Sequence, residues 1–103
     1  MREAAAAALE MVAGHERADL SEYTMLAMAL TRCLEILGEA ASKMSDETRL
    51  RFPDIPFAKM TSMRNRLIHA YFDVNLDVVW TTVTEDLPAL LPALDAALTD
   101  IYG

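Results

Sequence analysis

Residues 19–44, DLSEYTMLAMALTRCLEILGEAASKM, place Leu20, Tyr23, Leu26, Leu30, Leu34, Leu37, Ala41 and Met44 at intervals of three or four. That spacing lines one side of an α-helix, so the stretch predicts a long amphipathic helix whose stripe is core. Asp19 followed by Glu22 has the form of a capping box, with Asp in place of Ser or Thr, and sets the expected start of the helix there. Gly38 interrupts the stripe at a cost of about 1 kcal/mol against Ala. A close approach by another helix would justify that cost.

Working outward, a first helix is expected over Arg2 to Val12, ended by Gly14, with an alanine run that gives little apolar bulk. After the long helix, Ser45 reads as a fresh cap with Asp46 and Glu47 in the first turn, where the helix dipole favours acids. The short third helix should end by Arg51. Phe52-Pro53-Asp54-Ile55-Pro56 is a loop by its prolines, and Pro56 suits the start of a fourth helix, which is expected to run to about Ala70. Asp73 to Asn75 then form a turn. Asn75 caps a fifth helix carrying Leu76, Val79, Trp80, Val83, Leu87, Leu90, Leu94 and Leu98, with a kink or break expected near Asp86 to Pro88. The expected fold class is all-α, a bundle of four main helices plus one short helix.

At 103 residues the chain has room for one domain, taken as 1–103. Its 53% hydrophobic content is rich for that size, so a second subunit is expected to cover some of the apolar surface, giving a homodimer. The single cysteine, Cys33, lies beside Leu30, Leu34 and Leu37 and reads as a small core hydrophobe. The alanine run follows Arg2-Glu3 directly and reads as a helix rather than a targeting segment. Tyr23 to Thr31, the longest uncharged stretch, reaches only about half of the roughly 20 residues needed to cross a bilayer. A soluble, cytoplasmic protein without a membrane anchor is expected.

The net charge of −7 argues against sequence-blind nucleic-acid binding. It is unevenly spread: residues 1–42 carry −4, residues 43–66 carry +3 and residues 67–103 carry −6. The middle segment holds Lys43, Arg49, Arg51, Lys59, Arg64 and Arg66. Such a cluster fits either a solvated surface or a local phosphate seat, and composition does not choose between them.

The stretch that carries chemistry is Met63-Arg64-Asn65-Arg66-Leu67-Ile68-His69-Ala70-Tyr71-Phe72. If the fourth helix continues through it at 100° per residue, Met60, Met63, Leu67 and Ala70 fall within an arc of roughly 80° and face the core. His69 then projects to roughly the opposite side, with Asn65 between it and Arg64, so the three can line one cleft. Tyr71 falls nearly over Arg64, where it either closes the helix end as an aromatic or belongs to the cleft. No Ser, Cys or Asp completes a nucleophilic triad with these residues, and His15 is far away in sequence. No paired His or Cys spacing suggests a metal, and Glu35 and Glu39 read as a solvated helix face. A glycine-rich phosphate loop is absent, so no cofactor is expected. Histidine with arginine suits metal-free phosphodiester chemistry, in which imidazole moves a proton and guanidinium stabilises the pentacovalent phosphate. The attacking group would then be the substrate's own 2′-hydroxyl, as in RNA.

These residues resemble the HEPN superfamily, whose nuclease members carry Arg-x4-His, and within it the HepT toxins, where the motif extends to Arg-x4-His-x-Tyr. Here that is Arg64, His69 and Tyr71. The likeness extends through Leu34-Glu35-Ile36-Leu37-Gly38-Glu39-Ala40, Phe52-Pro53-Asp54-Ile55-Pro56, Val79-Trp80 and Asp86-Leu87-Pro88, covering about residues 20–95 in order. The alanine run departs from the more varied first helix usual in that family. The resemblance implies a HEPN-type bundle, a homodimer with its motif helices facing across a cleft, and RNA as substrate. It further implies a toxin–antitoxin pair of the type II or VII kind, in which a minimal nucleotidyltransferase antitoxin of the MntA kind transfers AMP to the motif tyrosine. Arg64 and His69 thereby become the catalytic pair of a metal-independent endoribonuclease leaving 2′,3′-cyclic phosphate ends. Asn65 and Arg66 become supporting residues and Tyr71 the AMPylated one. The alternative is a non-catalytic dimeric HEPN module that binds a nucleotidyltransferase partner or a nucleotide, and the acidic composition is its main support.

Overall fold

The computed structural model describes residues 1–21, 24–70 and 73–102; the side chains of residues 68–70 and 73 are not described. Helix α1 spans Arg2–Val12, α2 Met25–Ser42, α3 Asp46–Arg51 and α4 Phe57–Arg66. A small antiparallel pair follows, β1 Ile68–Ala70 with β2 Asp73–Val74, and then α5 Leu76–Thr81 and α6 Leu87–Tyr102. Helices α5 and α6 are joined through a widened π-helical turn at Thr82–Asp86. Counting α5 and α6 as one interrupted rod, the architecture is the expected all-α bundle of four main helices plus the short α3.

Helix α2 is the centre of the bundle. Its inward side buries Ala27, Leu30, Thr31, Leu34, Leu37, Gly38 and Ala41, and it packs against α1, α4 and α5. Each fully buried leucine contributes roughly 1.5–3 kcal/mol relative to an exposed one, so Leu30, Leu34 and Leu37 together contribute roughly 5–9 kcal/mol. Thr31 is tolerated in it because its hydroxyl donates to the Ala27 carbonyl at 2.7 Å. Ala5 and Ala8 are also fully buried. The small side chains of α1 bring its backbone close to its neighbours α2 and α6.

The start of α2 differs from the expected one. Asp19 pairs backwards, accepting from the Glu16 N–H at 2.7 Å in a reciprocal capping box around a single 3-10 turn, Arg17–Asp19. The cap of α2 is Thr24, whose hydroxyl accepts from the Ala27 N–H at 3.2 Å. Glu22 and Tyr23, which the capping-box reading and the stripe had used, lie outside the described residues. Arg17 fixes the turn to α5 through Asp77 at 2.9 Å.

Other local signals hold. Gly14 ends the α1 segment with a φ of +79°, a left-handed conformation that glycine adopts without steric cost. Ser45 accepts from the Thr48 N–H and Asn75 from the Val78 N–H, each capping the helix that follows. The break before Pro88 takes the form of the π turn. Pro88 has no N–H to give the preceding turn, and the Leu87 N–H reaches back five residues to the Thr82 carbonyl. The apolar side stays inward across that turn, with Val79, Val83, Leu87, Leu90 and Leu94 all buried. Pro92, by contrast, does not end α6, which continues through it.

Helix α4 ends at Arg66 rather than near Ala70. The Leu67 N–H closes on the Arg64 carbonyl, a tighter three-residue step, and the Leu67 carbonyl accepts from the Asn75 N–H at 2.6 Å. The chain then enters β1 and β2, paired as Ile68 with Val74 and Ala70 with Asp73, with an irregularity between the two pairs. Met60, Met63 and Leu67 are buried as expected. His69 and Ala70 leave the helix, so the 100° projection does not apply to them.

Candidate active site

Arg64 sits in the last turn of α4, against α2 at Gly38. A Cβ built on Gly38 would lie 2.4 Å from the Arg64 Cβ and 3.1 Å from the Met60 carbonyl oxygen. The glycine therefore supplies the close helix approach anticipated from its place in the stripe. It lets the arginine stem cross α2 and deliver its guanidinium to the far side.

There the guanidinium is held. Nη1 donates to Glu39 Oε2 at 2.8 Å and to Ser42 Oγ at 3.2 Å. Nε and Nη2 point to Asn65 Oδ1 at the longer distances of 3.4 and 3.2 Å. The other oxygen of Glu39 accepts from Lys43 Nζ at 3.3 Å. Lys43, and secondarily Arg64, hold the Glu39 carboxyl below its ordinary pKa, because both favour the charged form. The Arg64 side chain is only 29% exposed, and its head group is held by Glu39 and Ser42.

Glu39, Lys43 and Arg64 line an open depression of about 560 Å3 between α2 and α4, bordered also by Arg32, Glu35 and Ile36. Asn65 is exposed beside it. Arg66 is also exposed but lies on the other flank of α4, in a separate depression with Asn75, Asp77, Thr81 and Asp86. Among the described residues, Arg64 and Arg66 do not share a groove. The His69 backbone is the middle residue of β1, five positions after Arg64; its side chain is not described, and Tyr71 lies outside the described residues.

The basic cluster of the middle segment does not form one seat. Arg49 donates to the Ala41 and Met44 carbonyls at 3.0 and 3.2 Å. Arg51 pairs with Asp100 at 3.0 Å and Lys59 with Asp86 at 2.9 Å. Only Lys43 and Arg64 remain together, with Glu39 between them. Sequence reasoning had set Glu39 aside as a solvated carboxylate; its contact with Arg64 spans 25 positions, beyond the reach of any local pattern. The glycine immediately before it was the available signal.

The outward side of α2 leaves Met25, Met28 and Ile36 exposed, Met25 by 88% and Met28 by 61%. Ile36 also borders the Arg64 depression, and Arg32, 70% exposed, stands between it and Met28 on the helix.

A family model described as "Ribonuclease HepT-like" matches residues 1–97. Among curated relatives, a protein of Methanocaldococcus jannaschii named "Putative RNase MJ1216" is 39% identical over 75 residues, 73% of this chain and 62% of the relative. One from Thermococcus cleftensis, named "Probable ribonuclease HepT", is 47% identical over 62 residues, 60% of this chain and 56% of the relative. "Putative RNase TTE0752" of Caldanaerobacter subterraneus is 35% identical over 82 residues, 80% of this chain and 73% of the relative. The match thus spans less than two thirds of the first two relatives. No solved structure gives a significant match.

Proposed function

This chain belongs to the HepT-like ribonuclease family, and on that footing we propose that it is an endoribonuclease acting through Arg64 and His69. The observation that carries the reading is the Arg64 guanidinium, anchored at the end of α4 and facing an open groove, five residues before the only histidine in the second half of the chain. In the proposed reaction His69 accepts the proton of a ribose 2′-hydroxyl. The 2′-oxygen attacks the adjacent phosphorus, the 5′-oxygen leaves and takes a proton from water, and a 2′,3′-cyclic phosphate remains. Arg64 stabilises the charge that accumulates on the phosphoryl oxygens. No metal enters this scheme, because the nucleophile is the substrate's own hydroxyl.

The active form we propose is a homodimer that covers the Met25–Met28–Ile36 side of α2 and so encloses the groove beside Arg64. Asn65 and Arg66 act as supporting polar residues, Arg66 from the opposite flank of its helix. As a toxin, the protein would be restrained by a minimal nucleotidyltransferase that places AMP on Tyr71, and both would work in the cytoplasm. The second reading, a non-catalytic module for a nucleotidyltransferase or nucleotide, draws on the net charge of −7.

Expressing the chain alone, beside its His69→Ala variant, tests the nuclease reading. Growth arrest by the wild type only, with RNA cleavage that persists in EDTA, is the expected result. Cleavage that is lost in EDTA and restored by magnesium overturns the mechanism, and equal activity of the two proteins overturns the site.

A further inference from the structure

The Arg64 guanidinium has two unequal sides. Both Nη1 contacts, Glu39 Oε2 at 2.8 Å and Ser42 Oγ at 3.2 Å, come from α2 and are of ordinary hydrogen-bond length. Among the described residues, the Nε–Nη2 edge meets only Asn65 Oδ1, at 3.4 and 3.2 Å, on the neighbouring and exposed residue of its own helix. That edge presents two parallel N–H donors, the fork that matches two oxygens of a phosphate. One side is therefore clamped, while the other is loosely occupied by a side chain that can swing away.

We propose that Glu39 and Ser42 are positioning residues that aim the Nε–Nη2 edge of Arg64 at a phosphodiester, and that the Asn65 amide oxygen holds that edge until the phosphate displaces it. This deepens the reading of Arg64 as part of a ribonuclease site and rests on it. Four features support the assignment. Gly38 brings the arginine stem against α2 one residue before Glu39. Ser42 follows Glu39 by three positions on the same side of α2, and its own hydroxyl donates to the Glu39 carbonyl at 2.7 Å, leaving its oxygen lone pairs turned to Arg64. Lys43 balances the second Glu39 oxygen, so the carboxylate stays charged without drawing Arg64 further along the groove. The Arg64 side chain is also the more shielded partner, 29% exposed against 54% for Glu39, which suits a group whose orientation is set by its surroundings.

A carboxylate near a phosphate site has an opposite possible effect, because as a bystander it would repel the substrate. The two effects separate in the kinetics. An aiming role acts on the transition state, where misplacement of a charge-stabilising group is costly, whereas repulsion acts on binding of the intact RNA. Glu39→Gln is expected to lower kcat about tenfold or more with KM unchanged or lower, and Glu39→Asp to recover part of the loss. Ser42→Ala should lower kcat to a smaller extent. An unchanged kcat with lower KM in Glu39→Gln makes the carboxylate a bystander and overturns the proposal.

A second measurement does not depend on cleavage. In 15N spectra of the arginine side chains, the wild type should show separate Nη signals for Arg64, because the clamp slows rotation of its head group, and its Nε–H signal should move when inorganic phosphate is added. In Glu39→Gln the Nη signals should merge and the response to phosphate should weaken. Separate Nη signals in both proteins overturn the clamp. A clamp and phosphate response seen by NMR in a wild type that cuts no RNA would refute the nuclease reading and leave the aiming of Arg64 standing.

Discussion

Gly38 on α2 and Arg64 on α4 occupy one contact: the space where a Gly38 side chain would begin lies 2.4 Å from the Arg64 Cβ. The same contact positions the helix pair and the guanidinium. Stability and site geometry are thus coupled at this point.

Gly38→Ala gains about 1 kcal/mol in helix propensity. It also forces a new methyl against the root of a side chain and a backbone carbonyl, neither of which can swing aside, and overpacking of this kind costs about 1–3 kcal/mol. The clash should win. We expect a net loss of about 1 kcal/mol in urea denaturation, together with reduced RNA cleavage as α4 is displaced. A more stable variant with full cleavage would show that the contact relaxes freely.

Arg49 is an arginine whose role is structural. It donates to the Ala41 carbonyl in the last turn of α2 and to the Met44 carbonyl two residues past its end, and its guanidinium lies 5.8 Å from the centre of the Phe57 ring. Arg49→Met should cost about 1–2 kcal/mol by chemical denaturation. Arg49→Lys should restore only part of this, since an ammonium cannot hold two carbonyls in a fixed fork. Loss of cleavage without loss of stability would instead place Arg49 in the substrate groove.

Two carboxylates give the fold an acid-sensitive component. Asp19 is lowered from its ordinary value of 3.8 chiefly by the Glu16 N–H, with His15 second, and Glu39 is lowered from 4.5 by Lys43 and then Arg64. The unfolded chain therefore binds protons at higher pH than the fold does. The stabilisation is fully present above 3.8 and 4.5 respectively and is lost as pH falls through the lowered folded values. Asp19→Asn combined with Glu39→Gln should flatten the decline of stability below about pH 4.5, read as thermal midpoints across an acid series. An unchanged slope would mean that other carboxylates control the acid limb.

The bundle was legible because its signals are local. The α2 stripe, the Ser45 and Asn75 caps and the Pro88 break each lie within a few residues of the element they define. Asp19 misled because an acidic side chain can cap forward or backward, and here Glu16 offers its N–H from behind. The end of α4 was missed because Met60, Met63 and Leu67 keep a helical period up to the boundary, after which Ile68, Tyr71, Phe72 and Val74 introduce residue types that favour strands. A period count across that junction continues the helix. Arg64 stood out as part of a motif, but its clamp did not, because Glu39 and Ser42 come from another helix and meet it only after α2 and α4 have packed.

Tyr71 follows His69 by two residues in sequence. A nucleotidyltransferase partner that acts on it would join the phenolic oxygen to the α-phosphorus of ATP and release pyrophosphate, leaving a charged phosphodiester and an adenosine on the ring. That phosphate carries acceptor oxygens of the kind the Nε–Nη2 edge of Arg64 is suited to bind, and its charge repels an incoming RNA backbone. Coexpression should therefore add the mass of AMP to the peptide containing Tyr71 and silence RNA cleavage. Tyr71→Phe keeps the aromatic ring but removes the acceptor oxygen, so it should fold, escape modification and stay toxic when the partner is present. If AMP transfer neutralises Tyr71→Phe as fully as the wild type, the acceptor is another residue. If the modified wild type still cuts RNA, the adenylated tyrosine does not act by occupying the phosphate seat.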